Sequence, residues 1–387
     1  MVAQDASRNG QMLVHADGEA HGGSPRAMTP ARWRMAGWRR RRSGVAVAAV
    51  LAMGLVLAAC GGDDSGDGAN DDGTSNDDGA DGAADGDVSD AEQGADDAAD
   101  GTVSVEHVLG EAEVPAAPER VVALDPYASL PTALAAGADV VGTSYQPFGD
   151  PFPPYVDASN DEIEDVGWLT ELNVERIATL DPDVIVGLES MVEPHYDQLQ
   201  QIAPTVALPL DSTEWKETLA TVGSAIGRSE QVAQSLESYA ERAADLAAQL
   251  DESGASDEPV SLLNIRAVDD LRVYTESCAT EVLGDLGMTM HLAEETPEDG
   301  NRVDLSLERL TDADAATMFY FVGSTGTDPE DAQATFAEVA ESPLWDSMTV
   351  VEQGDAHEVD SEWWFNCGSV EAAELILDDV ESYLVEQ

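Results

Sequence analysis

Between residues 120 and 360 short apolar runs rich in Val and Ile keep recurring, each about one strand long and separated by stretches with helical periodicity. In the first half these are Arg120–Leu124, Val140–Ser144, Asp183–Gly187 and Thr205–Leu208. In the second half they are Val260–Ile265, Arg272–Thr275, Thr317–Val322, Thr349–Glu352 and His357–Asp360. A strand with one wet face alternates apolar and polar residues. A continuous apolar run is buried on both faces, the condition of a parallel strand sandwiched between helices. The pattern predicts an α/β fold of two Rossmann-like lobes, each with a central, mostly parallel sheet.

A helical tract separates the two sets of strands. Asp211 or Ser212 can cap it, Glu214 supports the first turn, and Trp215, Leu219, Val222 and Ile226 follow at helical spacing. After Gly227 the apolar positions restart at Val232, Leu236, Tyr239, Ala243, Leu246 and Leu250, one stripe on a straight helix. From Glu230 to Asp251 that helix spans about 33 Å at ~1.5 Å per residue, enough to cross from one lobe to the other. The expected divisions are a lobe over 102–212, connecting helices over 213–252 and a second lobe over 253–387.

The first hundred residues read as address and tether. Arg39 to Arg42 precede an apolar run, Gly44 to Ala59, shorter than the ~20 residues of a membrane span and suited to a signal peptide. It ends in Leu57-Ala58-Ala59-Cys60-Gly61, which resembles a bacterial lipobox. Residues 1–59 are therefore expected to be removed and Cys60 lipidated, with the protein outside the cytoplasm on the outer face of the cell membrane. From Gly61 to Asp100 there are 15 acids and no base, a composition that buries nothing and makes an extended acidic tether over 60–101.

Charge excludes several functions. The whole chain has a formal net charge of −61. Removing the 8 basic and 3 acidic residues of 1–59 from the 17 and 78 of the whole leaves 9 basic against 75 acidic. Lys216 is the single lysine. Such a surface rejects nucleic acid and anionic lipid, and is least strained in high salt. The resulting expectation is a halophile-like, monomeric protein touching the membrane through its lipid alone. Cys278 and Cys367 remain after lipidation; an oxidising compartment favours a disulfide between them, two buried thiols being the alternative.

Two segments resemble each other. Asn173-Val174-Glu175-Arg176-Ile177 leads into the run Asp183–Gly187, and Ser306-Leu307-Glu308-Arg309-Leu310 leads into Thr317–Val322. With Pro118–Leu124, Ala136–Gly142, Tyr196–Leu199, Ala203–Val206, Leu271–Tyr274, Val282–Gly287, Pro343–Trp345 and Leu377–Val380, they make the chain similar to the periplasmic siderophore- and cobalamin-binding family. The resemblance implies a class III substrate-binding protein, with two lobes joined by a single long helix and a ligand held between them. It also implies that Glu175 and Glu308, one per lobe, pair with arginines on the permease of an ABC importer.

Ligands of open α/β sheets sit beyond the carboxyl ends of the strands. Those ends present Asp125, Pro126, Tyr127, Tyr145, Gln146 and Trp168 in the first half. Arg266, Ser324 and Trp363-Trp364-Phe365 follow in the second. Aromatic faces suit flat chelates, and guanidinium suits an anionic one. The expected ligand residues are Tyr127, Tyr145, Trp168, Arg266, Arg302, Trp363 and Trp364, with at least one tryptophan packing into the core and Arg272 in an ordinary ion pair. The stretch Asp150–Tyr155 resembles siderophore binders more than binders of cobalamin or haem, the alternatives of the same fold. The ligand is then an Fe(III)-siderophore, and no resident cofactor is expected. An extracellular enzyme or adhesion module is the alternative of another class. No P-loop, nucleophile elbow or dinucleotide fingerprint is present, and the histidines are dispersed without metal-ligand spacing.

Overall fold

In the computed structural model the described residues are 101–146, 151–157, 162–168, 171–209, 213–324 and 327–385. The expected signal segment, Cys60, the expected tether to Asp100 and the expected caps Asp211 and Ser212 lie outside them.

The described chain begins with an antiparallel hairpin, β1 (Thr102–His107) and β2 (Gly110–Pro115). It is absent from the strands expected above. Only Val105, Ala112 and Val114 are buried, and Glu106, Glu111 and Glu113 interleave with them. One apolar face diluted by acids leaves no continuous run to read.

Strands β3 (Val121–Ala123), β4 (Val140–Thr143), β5 (Glu164–Asp165), β6 (Val184–Leu188) and β7 (Thr205–Leu208) form the first sheet. Its order is β5-β4-β3-β6-β7, and every neighbouring pair is parallel. The second sheet holds β8 (Val260–Ala267), β9 (Asp270–Tyr274), β10 (Arg302–Leu305), β11 (Thr317–Val322) and β12 (Ala356–Glu358). Its order, β10-β9-β8-β11-β12, repeats the first position for position. Here β8, β11 and β12 are parallel, while β9 runs antiparallel to both of its neighbours.

One expected strand is a helix. Residues Thr349–Gln353 are helical and end at Gly354, which takes φ 85°. Their β-branched run, Thr349-Val350-Val351, reads locally as strand. The override is tertiary: the Asp314 carboxylate accepts the N–H groups of Thr349 and Val350 at 2.8 and 2.9 Å, capping the helix from another segment. Burial alone would raise the Asp314 carboxyl; these two donors more than offset it and hold the group below its usual range.

Successive strand residues point to opposite faces, so each sheet feeds two apolar clusters. Val121, Ala123, Val184 and Val186 face the connecting helices, while Val122, Leu124 and Ile185 face outward helices. In the second sheet Leu262, Phe319 and Phe321 face inward, and Leu263, Ile265 and Met318 outward. The inward residues of both sheets belong to one continuous cluster, joined through Trp215, Val222, Tyr239 and Leu246.

Those joining residues sit on helices Trp215–Ala225 and Ser229–Ser253. Gly227 between them has φ +63°, and a Cβ there would come within 2.4 Å of the Ala116 carbonyl oxygen. Only glycine makes that joint without strain. The second helix has 25 residues, about 37 Å at ~1.5 Å each. Val232, Tyr239, Ala243, Leu246 and Leu250 are buried along it and Leu236 is partly so. Among the described residues no helix is long and apolar enough to cross a membrane.

Candidate functional site

A cavity of about 320 Å³ opens where the two sheets and the connecting helix meet. Tyr127 and Leu188 line it from the first sheet's loops, Trp215 from the helix, and Tyr274, Phe321 and Trp364 from the second half. None of its described lining residues is charged.

The wall containing Trp364 is held from several sides. Asp360 caps helix Ser361–Trp364 by accepting the Glu362 N–H at 2.9 Å. Both indole N–H groups, of Trp363 and Trp364, donate to the same Asp379 oxygen at 2.8 Å. Burial pushes the Asp379 carboxyl up, and the two indole donors pull it back down. The Trp364 ring stacks on Phe319, with centroids 4.8 Å apart. A disulfide joins Cys367 to Cys278, with Cα atoms 5.5 Å apart, at the start of helix Cys278–Asp285. Ser277 closes that helix start with a capping box shared with Thr280.

Opposite this wall, the end of β3 is shaped by Asp125. Its buried carboxylate accepts the N–H groups of Tyr127, Ala128 and Ser129 and the Ser129 hydroxyl. This acid is consumed in turning the chain into helix Ser129–Ala135, and the turn places Tyr127 on the cavity, edge-on to Trp168 at 6.5 Å. The halves touch directly: Gln146 Nε2 donates to Glu362 Oε2 at 3.2 Å. Burial raises the Glu362 carboxyl, Gln146 opposes the rise, and Asp360 adds to it. The Tyr155 hydroxyl is buried with no partner; burial first, then Tyr127 and Glu362, push it well above the ordinary range.

The second sheet contributes three arginines on adjacent strands. Arg272 is in register with Asn264 and Asp304, and Arg302 with Tyr274, itself in register with Leu262. These residues therefore share the sheet face that borders the cavity. Arg266 is the unpaired residue of a β-bulge between Ile265 and Ala267, a device that re-aims a side chain. Asp270 stands between Arg272 at 2.7 Å and Arg266 at 4.0 Å, and Asp304 lies 2.9 Å from Arg302. Arg266 also reaches the Ser324 hydroxyl at 3.3 Å. Three guanidiniums thus gather on one sheet face of a strongly negative chain.

Of the seven expected ligand residues, Tyr127 and Trp364 line the cavity and Trp168 stands behind Tyr127. Trp363 is turned to Asp379 and packs against the core. Tyr145 is directed elsewhere, donating to the Ile163 carbonyl at 2.5 Å with its ring against Phe152. Arg266 and Arg302 do not meet: they occupy opposite ends of the same sheet face, with Arg272 between them. The expectations omitted Trp215, Tyr274 and Phe321, which periodicity assigns to packing.

Glu175 and Glu308 are both exposed, in the first turn of short helices Val174–Thr179 and Leu307–Ala313. Each helix sits one turn ahead of an equivalent strand, β6 or β11; Ile177 anchors the first, and Leu310 with Ala313 the second, all fully buried. Asn173 caps the first by accepting the Arg176 N–H at 3.0 Å. The Glu308 carboxylate is held below its usual range by its own backbone N–H and the Ser306 hydroxyl.

Residues 120–362 match the periplasmic binding protein family. The chain belongs to that family. Its members are substrate-binding proteins of transport systems rather than enzymes. Among curated relatives, the Bacillus subtilis protein named probable siderophore-binding lipoprotein YfiY is 30% identical over 73% of this chain and 87% of its own length. The Fe(3+) dicitrate-binding periplasmic protein FecB of Escherichia coli is 27% identical over 68% of this chain and 83% of its own. Among solved structures, Staphylococcus aureus SirA complexed with staphyloferrin B superposes with a TM-score of 0.67 at 26% identity, covering 73% of this chain and 98% of that one. The two-lobed α/β architecture of class III binding proteins is thus shared along nearly the whole described chain.

Proposed function

We propose that this protein captures a ferric siderophore between its lobes and delivers it to the permease of an ABC importer, from a lipid anchor at Cys60. The observation that carries the reading is the aromatic cavity walled by both sheets and the connecting helix, with the Arg266–Arg272–Arg302 face beside it. A ferric chelate is flat in its arms and often anionic at its centre, and these two surfaces suit those two parts. The relatives named for siderophore and ferric dicitrate, and the staphyloferrin B complex, support the same class of cargo.

Glu175 and Glu308 serve as docking points for basic groups on the permease. They occupy matching places ahead of β6 and β11 and are exposed, and the Glu308 carboxyl is held below its usual range. Reversing both, Glu175→Arg with Glu308→Arg, should abolish uptake of radiolabelled ferric chelate by cells while leaving its affinity for the purified protein unchanged. Uptake at the wild-type rate would remove the docking role. Tryptophan fluorescence titrated with ferric siderophores, cobalamin and haem tests the cargo: quenching by a ferric siderophore is expected, and silence towards every siderophore overturns the assignment.

A further inference from the structure

We infer that the cavity between the lobes is a subsite for an uncharged apolar group carried by the captured chelate, an aromatic ring or short acyl chain. The inference rests on the capture reading above. In a chain of net charge −61, a cavity whose described lining contains no carboxylate and no basic side chain suits such a group. A charged group buried there would lose its hydration and gain no counter-charge. The volume, about 320 Å³, is roughly twice the ~150 Å³ that admits a benzene-sized guest. Tyr127, Trp215, Tyr274, Phe321 and Trp364 offer ring faces and edges from three sides.

Two residues bordering the cavity also carry polar atoms that are buried and unpartnered, Trp215 Nε1 and Thr218 Oγ1. They are 2% and 6% exposed and lie one turn apart on the same helix face. Both atoms lie beneath the lining surface, out of a guest's reach, so a guest meets the apolar parts of these two side chains. The anionic centre of the chelate then remains beside the arginines, and the appendage enters between the sheets.

The test uses the full chain and matched pairs of ferric chelates, one trihydroxamate, one hydroxycarboxylate and one tricatecholate. Each is made with either an acetyl or a benzoyl group on one terminal amine. Tryptophan fluorescence reads the affinity. Within whichever pair binds, the benzoyl form is expected to bind about tenfold more tightly, as burial of one ring implies. Thr218→Leu, which fills the space, should bring the benzoyl form down to the acetyl level. Equal affinities within a binding pair overturn the subsite and leave capture standing; failure of all six chelates removes both. Should Thr218→Leu not fold, the wild-type pairs alone decide.

Discussion

The two sheets have the same strand order but differ at one connection. In the first, 16 residues including helix Ser129–Ala135 separate β3 from β4, and the pair is parallel. In the second, only Val268 and Asp269 separate β8 from β9, and the pair is antiparallel. A parallel return needs a crossover of roughly a dozen residues or more, and a two-residue loop permits only a hairpin. The lost crossover changes what each half offers a ligand. The first presents a loop, Asp125–Tyr127, thrown inward by its helix turn. The second, with no helix over that edge, presents the bare face of β9 and β10 and their arginines.

The halves also differ in how they are fastened, and the largest expected effect lies there. The disulfide closes a separation of 89 residues entirely within the second half. Cys278→Ser with Cys367→Ser should cost about 4–5 kcal/mol in the chain-entropy account. Hydrogen exchange read by peptide should show β8 to β12 losing protection while β3 to β7 keep theirs. A uniform loss would mean that the shared core makes both halves one cooperative unit.

Next come the two short helices bearing Glu175 and Glu308. Ile177→Ala and Leu310→Ala each remove a fully buried side chain and should each cost about 2–5 kcal/mol in urea unfolding. Near-neutrality of one would end the structural equivalence of the pair.

The smallest effect concerns the bridge between halves. Glu362 has a raised carboxyl in the folded protein, so folding favours its protonated form. That contribution is complete below the ordinary carboxylate range and lost as pH rises through the raised value. Glu362→Gln keeps an acceptor for Gln146 and removes the charge. It should raise stability at neutral pH by under ~1 kcal/mol and change nothing in acid. Melting curves across pH would show whether the two profiles converge on the acid side.

Strands buried on both faces were legible because nothing but apolar side chains fits there. The edge strands β5 and β10 were not: Glu164–Asp165 and Arg302–Leu305 present acids and arginine to solvent. Thr349–Gln353 was misread because its cap, Asp314, lies 35 residues away in sequence. For the site, Trp363-Trp364 stood out as apolar residues in a loop. Trp215, Tyr274 and Phe321 looked like ordinary core, since the space they border exists only once two separately folded sheets are set against one helix. Tyr145 misled because a strand-end position does not fix a rotamer.

Helix Ser229–Ser253 sets how far the two halves can move apart. Because the apolar cluster runs unbroken along it from sheet to sheet, the halves cannot part like the covers of a book. They can only tilt a little on a stiff spine. If Glu175 and Glu308 are the docking points proposed above, their separation would be a nearly constant gauge, with cargo entering it as a slight change of angle. A membrane partner would have to discriminate loaded from empty by fit rather than by a large change of shape.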